Sequence, residues 1–246
     1  MRRAPSLVAL AVLVVGAFPV PTSAVDEPAA RAAAAWFRAG VLLDGAVAGA
    51  YSAEERAAAA PPNDNFTFAD AALVQWLAPG LAPLGDDLYA WRARPDAPSP
   101  VDWWRARAWA TTAPGSGNPC NDWSRAVLAL VALGEDPRAF GGTDHVAKVL
   151  ACHRGDGTWD DPTTAADDGW SNNDAFALLA LRAAGYPVDD AAVASTVAAL
   201  VATQHADGGF AMHGEPNSLV DDTAMITTAL LSVLPPSHDA PRRALL

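Results

Sequence analysis

The stretch "WSNNDAFALLALRAAGYP", Trp170 to Pro187, opens on polar residues, continues apolar on nearly every side, and stops at Gly185 and Pro187. Serine, asparagine and aspartate favour helix N-termini, and glycine followed by proline is a common helix stop. A helix that is apolar all round must be enclosed by other protein. Laid over this stretch, "NDWSRAVLALVALGEDP" (Asn121 to Pro137) and "LVDDTAMITTALLSVLPP" (Leu219 to Pro236) bring Ala126, Ala175 and Ala224 into register at a constant interval of 49 residues. A weaker copy, "FADAALVQWLAPG", places Ala71 at the same point, 55 residues before Ala126.

Between these copies lies a second kind of segment. "DDAAVASTVAALVATQHADGGF", Asp189 to Phe210, gathers Val193, Val197, Leu200 and Val201 on one face and reads as an amphipathic helix. "DHVAKVLACHRGDGTW", Asp144 to Trp159, is its counterpart one repeat earlier. Asp156-Gly157-Thr158-Trp159 answers Asp207-Gly208-Gly209-Phe210. The chain is therefore a series of hairpins, each with an apolar inner and an amphipathic outer helix. Such hairpins stacked side by side curve into an α/α toroid, so the expected fold is all-α, a partial α/α toroid. "AARAAAAWFRAGVLLDG" (Ala29 to Gly45) reads as an earlier outer helix. The Pro- and Trp-rich segment from Leu81 to Pro119 is less regular, with a helix around Trp103 to Trp109. "SHDAPRRALL" at the end resembles the opening of another outer helix and then stops, which fits either a domain truncated at its C-terminus or an open partial toroid with an exposed apolar edge.

The first residues set the expected compartment. "MRR", the apolar run Leu7 to Phe18 and small residues up to Ala24 form a secretory signal peptide, residues 1–24, followed by one domain over 25–246. No later segment is long and apolar enough to span a membrane. Loss of Arg2 and Arg3 takes the basic residues from 16 to 14 against 28 acids, a net charge of −14. That field excludes nucleic acid as a partner. In an exported chain Cys120 and Cys152 read as a disulfide, with a metal site as the minor alternative. One cysteine precedes an inner helix and the other ends the next outer helix, and antiparallel packing puts those ends side by side. Closing that loop contributes roughly 3 to 4 kcal/mol in the chain-entropy account.

The helix ends "ATQHADGGF" and "ACHRGDGTW" resemble the Q-x-x-D-G-[GS]-[WF] element of the prenyltransferase and squalene-cyclase repeat, with Gln204 at the glutamine. "VDDTA" looks like the end of the D-x-D-D-T-A motif of class II terpene cyclases. The resemblance implies the α/α toroid over about Ala29 to Leu234. It also implies a catalytic role for Asp221, as the acid that protonates an alkene, with Asp222 as its neighbour. The first aspartate of that motif corresponds to Leu219, which removes one acid that tunes the donor. Family cyclases are also much longer. Prenyl transfer in the family uses zinc held by Asp, Cys and His, and no cysteine here takes the matching place. His145, His153, His205, His213 and His238 make no spaced metal pattern. The cobalamin carriers of the superfamily hold their ligand against a β domain that this sequence does not carry. No phosphate loop, nucleophile elbow or thioester signature occurs.

The polar residues opening the inner helices remain as the candidate ligand-binding set: Asp70, Asp122, Asn172, Asn173 and Asp174, with Trp123 and Trp170 alongside. Gathered at a toroid mouth, they suit a glycan or another small molecule, or Ca²⁺ through oxygen ligands; no cofactor is required. The alternative is capping, in which Asp221 and Asp222 together contribute about 1 to 2 kcal/mol at a helix N-terminus. The sequence favours an exported, non-catalytic binding or interaction module over a cyclase with Asp221 as proton donor. Asn65, in "NFT", is a glycosylation acceptor sequence.

Overall fold

The structure is a computed structural model, and it describes residues 27–39, 74–106, 119–160, 171–211 and 215–245. The leader, Asn65, Asp70, Trp170 and His213 lie outside the described residues. Helices account for the regular structure: α1 (Glu27–Ala39), α2 (described over residues 74–81), α3 (Pro100–Arg105), α4 (Pro119–Ala132), α5 (His145–Leu150), α6 (Ser171–Ala183), α7 (Ala191–Ala202), α8 (Val220–Leu231) and α9 (Asp239–Ala244). Among the described residues the only strand-like pairing is an isolated bridge between His153 and Trp159. The chain is all-α, as expected. It divides into two compact units, residues 1–117 with 128–144 and residues 118–127 with 145–246.

In the first unit the irregular segment is held by tryptophans and local caps. Trp91 and Trp104 are buried, and Trp104 meets Phe140 with ring centroids 5.0 Å apart. Helix α3 starts earlier than expected, because Ser99 caps it, and residues 107–109 of the expected helix lie outside the described residues. The Ser99 hydroxyl accepts the Asp102 amide, Asp102 accepts the Ser99 amide, and Pro100 supplies a preset φ at the first helical position. At the end of α3, Arg105 stacks on Phe140 at 4.6 Å and pairs with Glu135 at 3.0 Å, while the Tyr89 hydroxyl donates to Glu135. Burial pushes the Tyr89 phenol up, and the Glu135 carboxylate that accepts its proton adds to the rise.

The second unit contains the clearest repeats. Inner helices α6 and α8 pack on each other, α7 packs on α6, and α9 packs on α8. Gly185, at φ 87°, ends α6 where only glycine is at ease, and the Tyr186 amide returns to the Leu181 carbonyl at 3.0 Å. Helices α5 and α7 are followed by the same turn. The Arg154 amide donates to the Thr158 carbonyl at 3.0 Å, and one repeat later the His205 amide donates to the Gly209 carbonyl at 2.9 Å. Asp156 and Asp207 each accept the amide two residues on. Cys120, in the first turn of α4, is bonded to Cys152 just after α5, with Cα atoms 5.9 Å apart, as the antiparallel register requires.

Candidate functional site

The starts of α6 and α8 carry most of the candidate residues, and what precedes each start explains their positions. Before α6, the Trp159 amide donates to Asp174 at 2.8 Å. Before α8, the Phe210 amide donates to the Thr223 hydroxyl at 2.9 Å. Asp174 and Thr223 are 49 residues apart, and Trp159 and Phe210 are the aromatics that close the two outer turns. An acceptor in the first turn of each inner helix thus captures the aromatic's amide and fastens the outer turn to the inner helix. The rings complete the fastening. Trp159 and Phe210 are fully buried, and the Trp159 indole donates to Thr196 of α7 at 2.7 Å.

The turns also approach the next outer helix closely. A Cβ on Gly157 would stand 2.3 Å from the Ser195 carbonyl oxygen in α7, and one on Gly208 would stand 2.6 Å from the Arg243 carbonyl oxygen in α9. Gln204, the residue that carries the resemblance, donates to the carbonyls of Gly208 and Ala240, each at 2.7 Å. His153, at the equivalent place one repeat earlier, lies 3.2 Å from the Ser195 hydroxyl. Residue by residue, the repeated element joins one outer helix to the next.

The capping expectation for Asp221 and Asp222 needs correction. The N-cap of α8 is Leu219, with no side-chain cap, and the two aspartates occupy the first helical turn. Leu219 takes this place because its amide donates to the Phe210 carbonyl at 2.8 Å, so a backbone tie sets the helix start. Asp221 points outward and is exposed, whereas Asp222 is only 2 % exposed. Both carboxylates still favour the positive end of the helix.

The remaining candidates are distributed as follows. Asp122, in the first turn of α4, is buried and forms an ion pair with Arg125. Trp123 is buried with its ring 5.6 Å from the His145 ring and the Lys148 amine 5.8 Å above it. Burial pulls the Arg125 guanidinium below its usual range, against the opposing charge of Asp122. Asn173 and Asp174 are buried and Asn172 is half-buried. No group of three His, Cys, Asp or Glu side chains suited to a metal ion occurs among the described residues. Clefts of about 460 Å³, lined by Ala35, Arg38, Ala39, Arg92 and Ala93, and of about 210 Å³, beside Leu81, Gly85 and Tyr89, belong to the first unit and include none of these residues.

A Ser-His-Asp grouping appears at the turn before α8. The Ser218 hydroxyl donates to Asp207 at 2.7 Å and lies 3.3 Å from the His205 ring nitrogen. The preceding repeat accounts for it: Asp156 accepts the Thr158 hydroxyl at 2.7 Å in the same turn. Hydrogen bonds from Ser218 and then from the Gly209 amide hold the Asp207 carboxyl below its usual range. The grouping is a turn lock in which the serine proton is already committed to a carboxylate.

Sequence reasoning placed Phe210, Gly157 and Gly208 in the repeated turn without giving them a fastening role, and it missed Thr223. The 49-residue register, by aligning Thr223 with Asp174, was the signal that could have found it. Compared with protein-family models, curated proteins and solved structures, the chain matches none.

Proposed function

We propose that this chain is an exported, non-catalytic interaction module built as a partial α/α toroid of the prenyltransferase and squalene-cyclase repeat kind. The observation that carries the reading is the fastening role of the inner-helix starts. Asp174 and Thr223 occupy one register position and do one job, holding an aromatic's amide, so the polarity there is accounted for by the repeat itself. A polyene cyclase needs its proton donor in a dry, enclosed pocket. The exposure of Asp221 weighs against that chemistry at the position the resemblance would assign.

Export is supported by the leader-like N-terminus and by the Cys120–Cys152 bond, which persists in oxidising compartments. The ligand class this reading favours is a small polar one, a glycan or Ca²⁺, at the polar helix starts around Asp122 and Asn172. A cofactor has no role in it.

The test is native mass spectrometry of the secreted, disulfide-bonded protein, followed by incubation with squalene and shorter polyprenyl substrates. The expected result is a chain beginning near Val25, without retained isoprenoid and without turnover. Product formation that Asp221→Asn abolishes would refute the proposal.

A further inference from the structure

The first unit holds a cleft of about 460 Å³ lined from two separate stretches of chain. Ala35, Arg38 and Ala39 come from α1, and Arg92 and Ala93 come from the segment that follows the buried Trp91. Its volume lies within the range of about 300 to 1,000 Å³ in which small molecules bind. Residues 35, 38 and 39 stand at the i, i+3, i+4 spacing and so share one face of the helix. The alanine side chains are short and apolar, which leaves room between the two arginines and gives the cleft a non-polar lining.

The charge here runs against that of the whole chain. The sequence carries 16 basic and 28 acidic residues, yet α1 and residues 91–94 hold Arg31, Arg38, Arg92 and Arg94 against Glu27 alone. The acids that follow are already engaged: Asp102 pairs with Arg92 at 3.0 Å, and Asp96 pairs with Arg94 at 3.0 Å. Arg92 also donates to the Ala97 carbonyl. These two ties tether its guanidinium at the cleft without consuming all five of its N–H donors. Arg38 is exposed, and its guanidinium makes no ion pair or hydrogen bond with a described residue. Its place in the last turn of α1 suits a positive charge by itself. That role does not account for a second, tethered guanidinium brought to the same cleft from another segment.

We propose that this cleft binds a small organic carboxylate, held by Arg38 and Arg92, with its carbon body against Ala35, Ala39 and Ala93. The forked donors of a guanidinium match the two oxygens of a carboxylate. Arg92 offers a preset direction, and the flexible Arg38 completes the grip at a cost in rotamer freedom. Both groups stay in contact with water and the chain as a whole repels anions, so the affinity is modest, a Kd of about 1 mM. Inorganic phosphate matches the charge but leaves the alanine lining uncovered. No residue of the polar helix starts takes part, so this site is independent of any ligand held there.

The test is an NMR titration of the full, disulfide-bonded chain with its alanine methyls labelled, using benzoate as the carboxylate probe and benzyl alcohol and inorganic phosphate as comparisons. Benzoate should shift the methyl signals of Ala35, Ala39 and Ala93 saturably, in the millimolar range. Benzyl alcohol, which lacks the charge, should bind about tenfold more weakly or worse, and phosphate should also bind more weakly than benzoate. Arg38→Ala should weaken benzoate binding by about tenfold, the scale of one charge-assisted hydrogen bond, with circular dichroism unchanged because the side chain is exposed. Arg38→Lys, which keeps the charge and loses the fork, should fall between. Arg242→Ala, on α9, should leave binding unchanged. Absence of saturable shifts at these three methyls, benzyl alcohol or phosphate binding as tightly as benzoate, or benzoate binding indifferent to Arg38→Ala overturns the proposal.

Discussion

Gly157→Ala tests the account of how outer helices are joined. Gly157 sits at φ 101°, and a Cβ there would lie 2.3 Å from the Ser195 carbonyl oxygen, where ordinary contact begins at 3.4 Å. The turn or the α7 backbone must therefore move by about 1 Å, within an interior that resists overpacking at a cost of about 1 to 3 kcal/mol. To this is added about 1 to 2 kcal/mol for placing an L-residue at positive φ. Gly185→Ala supplies the control, because Gly185 has φ 87° and open space around its missing Cβ. It should lose only the conformational part. Gly208→Ala should fall between, since its neighbour Arg243 belongs to the six-residue α9, which yields more easily than α7. Urea unfolding of the oxidised protein, at constant m-value, gives the three differences. If Gly157→Ala costs no more than Gly185→Ala, the close approach carries no energy and the proposed coupling between outer helices is wrong.

Four further outcomes follow from named contacts. Reduction of Cys120–Cys152, which closes a loop with a sequence separation of 32, should lower stability by about 3.7 kcal/mol in the chain-entropy account, measured by urea unfolding with and without reductant. Asp174→Ala orphans the buried Trp159 amide and should cost about 1 to 3 kcal/mol, whereas Asp174→Asn, which keeps an acceptor, should retain most of the stability. Asp221→Asn should shift stability by less than about 1 kcal/mol, because its charge is exposed and interacts only with the helix end. Burial raises the Glu135 carboxyl, but hydrogen bonds from Arg105 and Tyr89 outweigh it and hold the group below its usual range. A depressed carboxyl stabilises above its unfolded pKa and loses that contribution as pH falls through the folded value. Glu135→Gln should therefore flatten the loss of stability below about pH 4, followed by acid titration of the unfolding midpoint.

The all-α class and the repeat register were readable because repetition supplies its own control. One apolar helix is ambiguous, but three in register, separated by amphipathic segments ending in Asp-Gly, constrain one another. The disulfide followed from the same register, since antiparallel hairpins fix which helix ends are neighbours. Helix boundaries were less accessible. The start of α8 is set by the Leu219 amide reaching the Phe210 carbonyl, a contact between residues nine apart that no capping preference encodes. Likewise, Ser99 starts α3 well ahead of the tryptophans that first drew attention to it.

The pair Asp221 and Asp222 illustrates why motif resemblance and chemistry separate here. Adjacent residues on a helix are about 100° apart, so one of two neighbouring carboxylates can be buried while the other faces water. Which one is buried depends on the packing of Ile226, Ala229 and Leu230, all fully buried and too far along the helix to belong to the motif. That packing buries Asp222 and leaves Asp221, the position the resemblance would make catalytic, in solvent. Protonating an alkene requires a carboxyl that remains protonated until it acts, which in turn requires burial or a neighbouring acid to raise its affinity for the proton. Leu219 supplies no such acid, and solvent removes the burial. The same turn that would have made a catalyst instead gives Thr223 to the Phe210 amide, placing this helix start among the fasteners of the repeat.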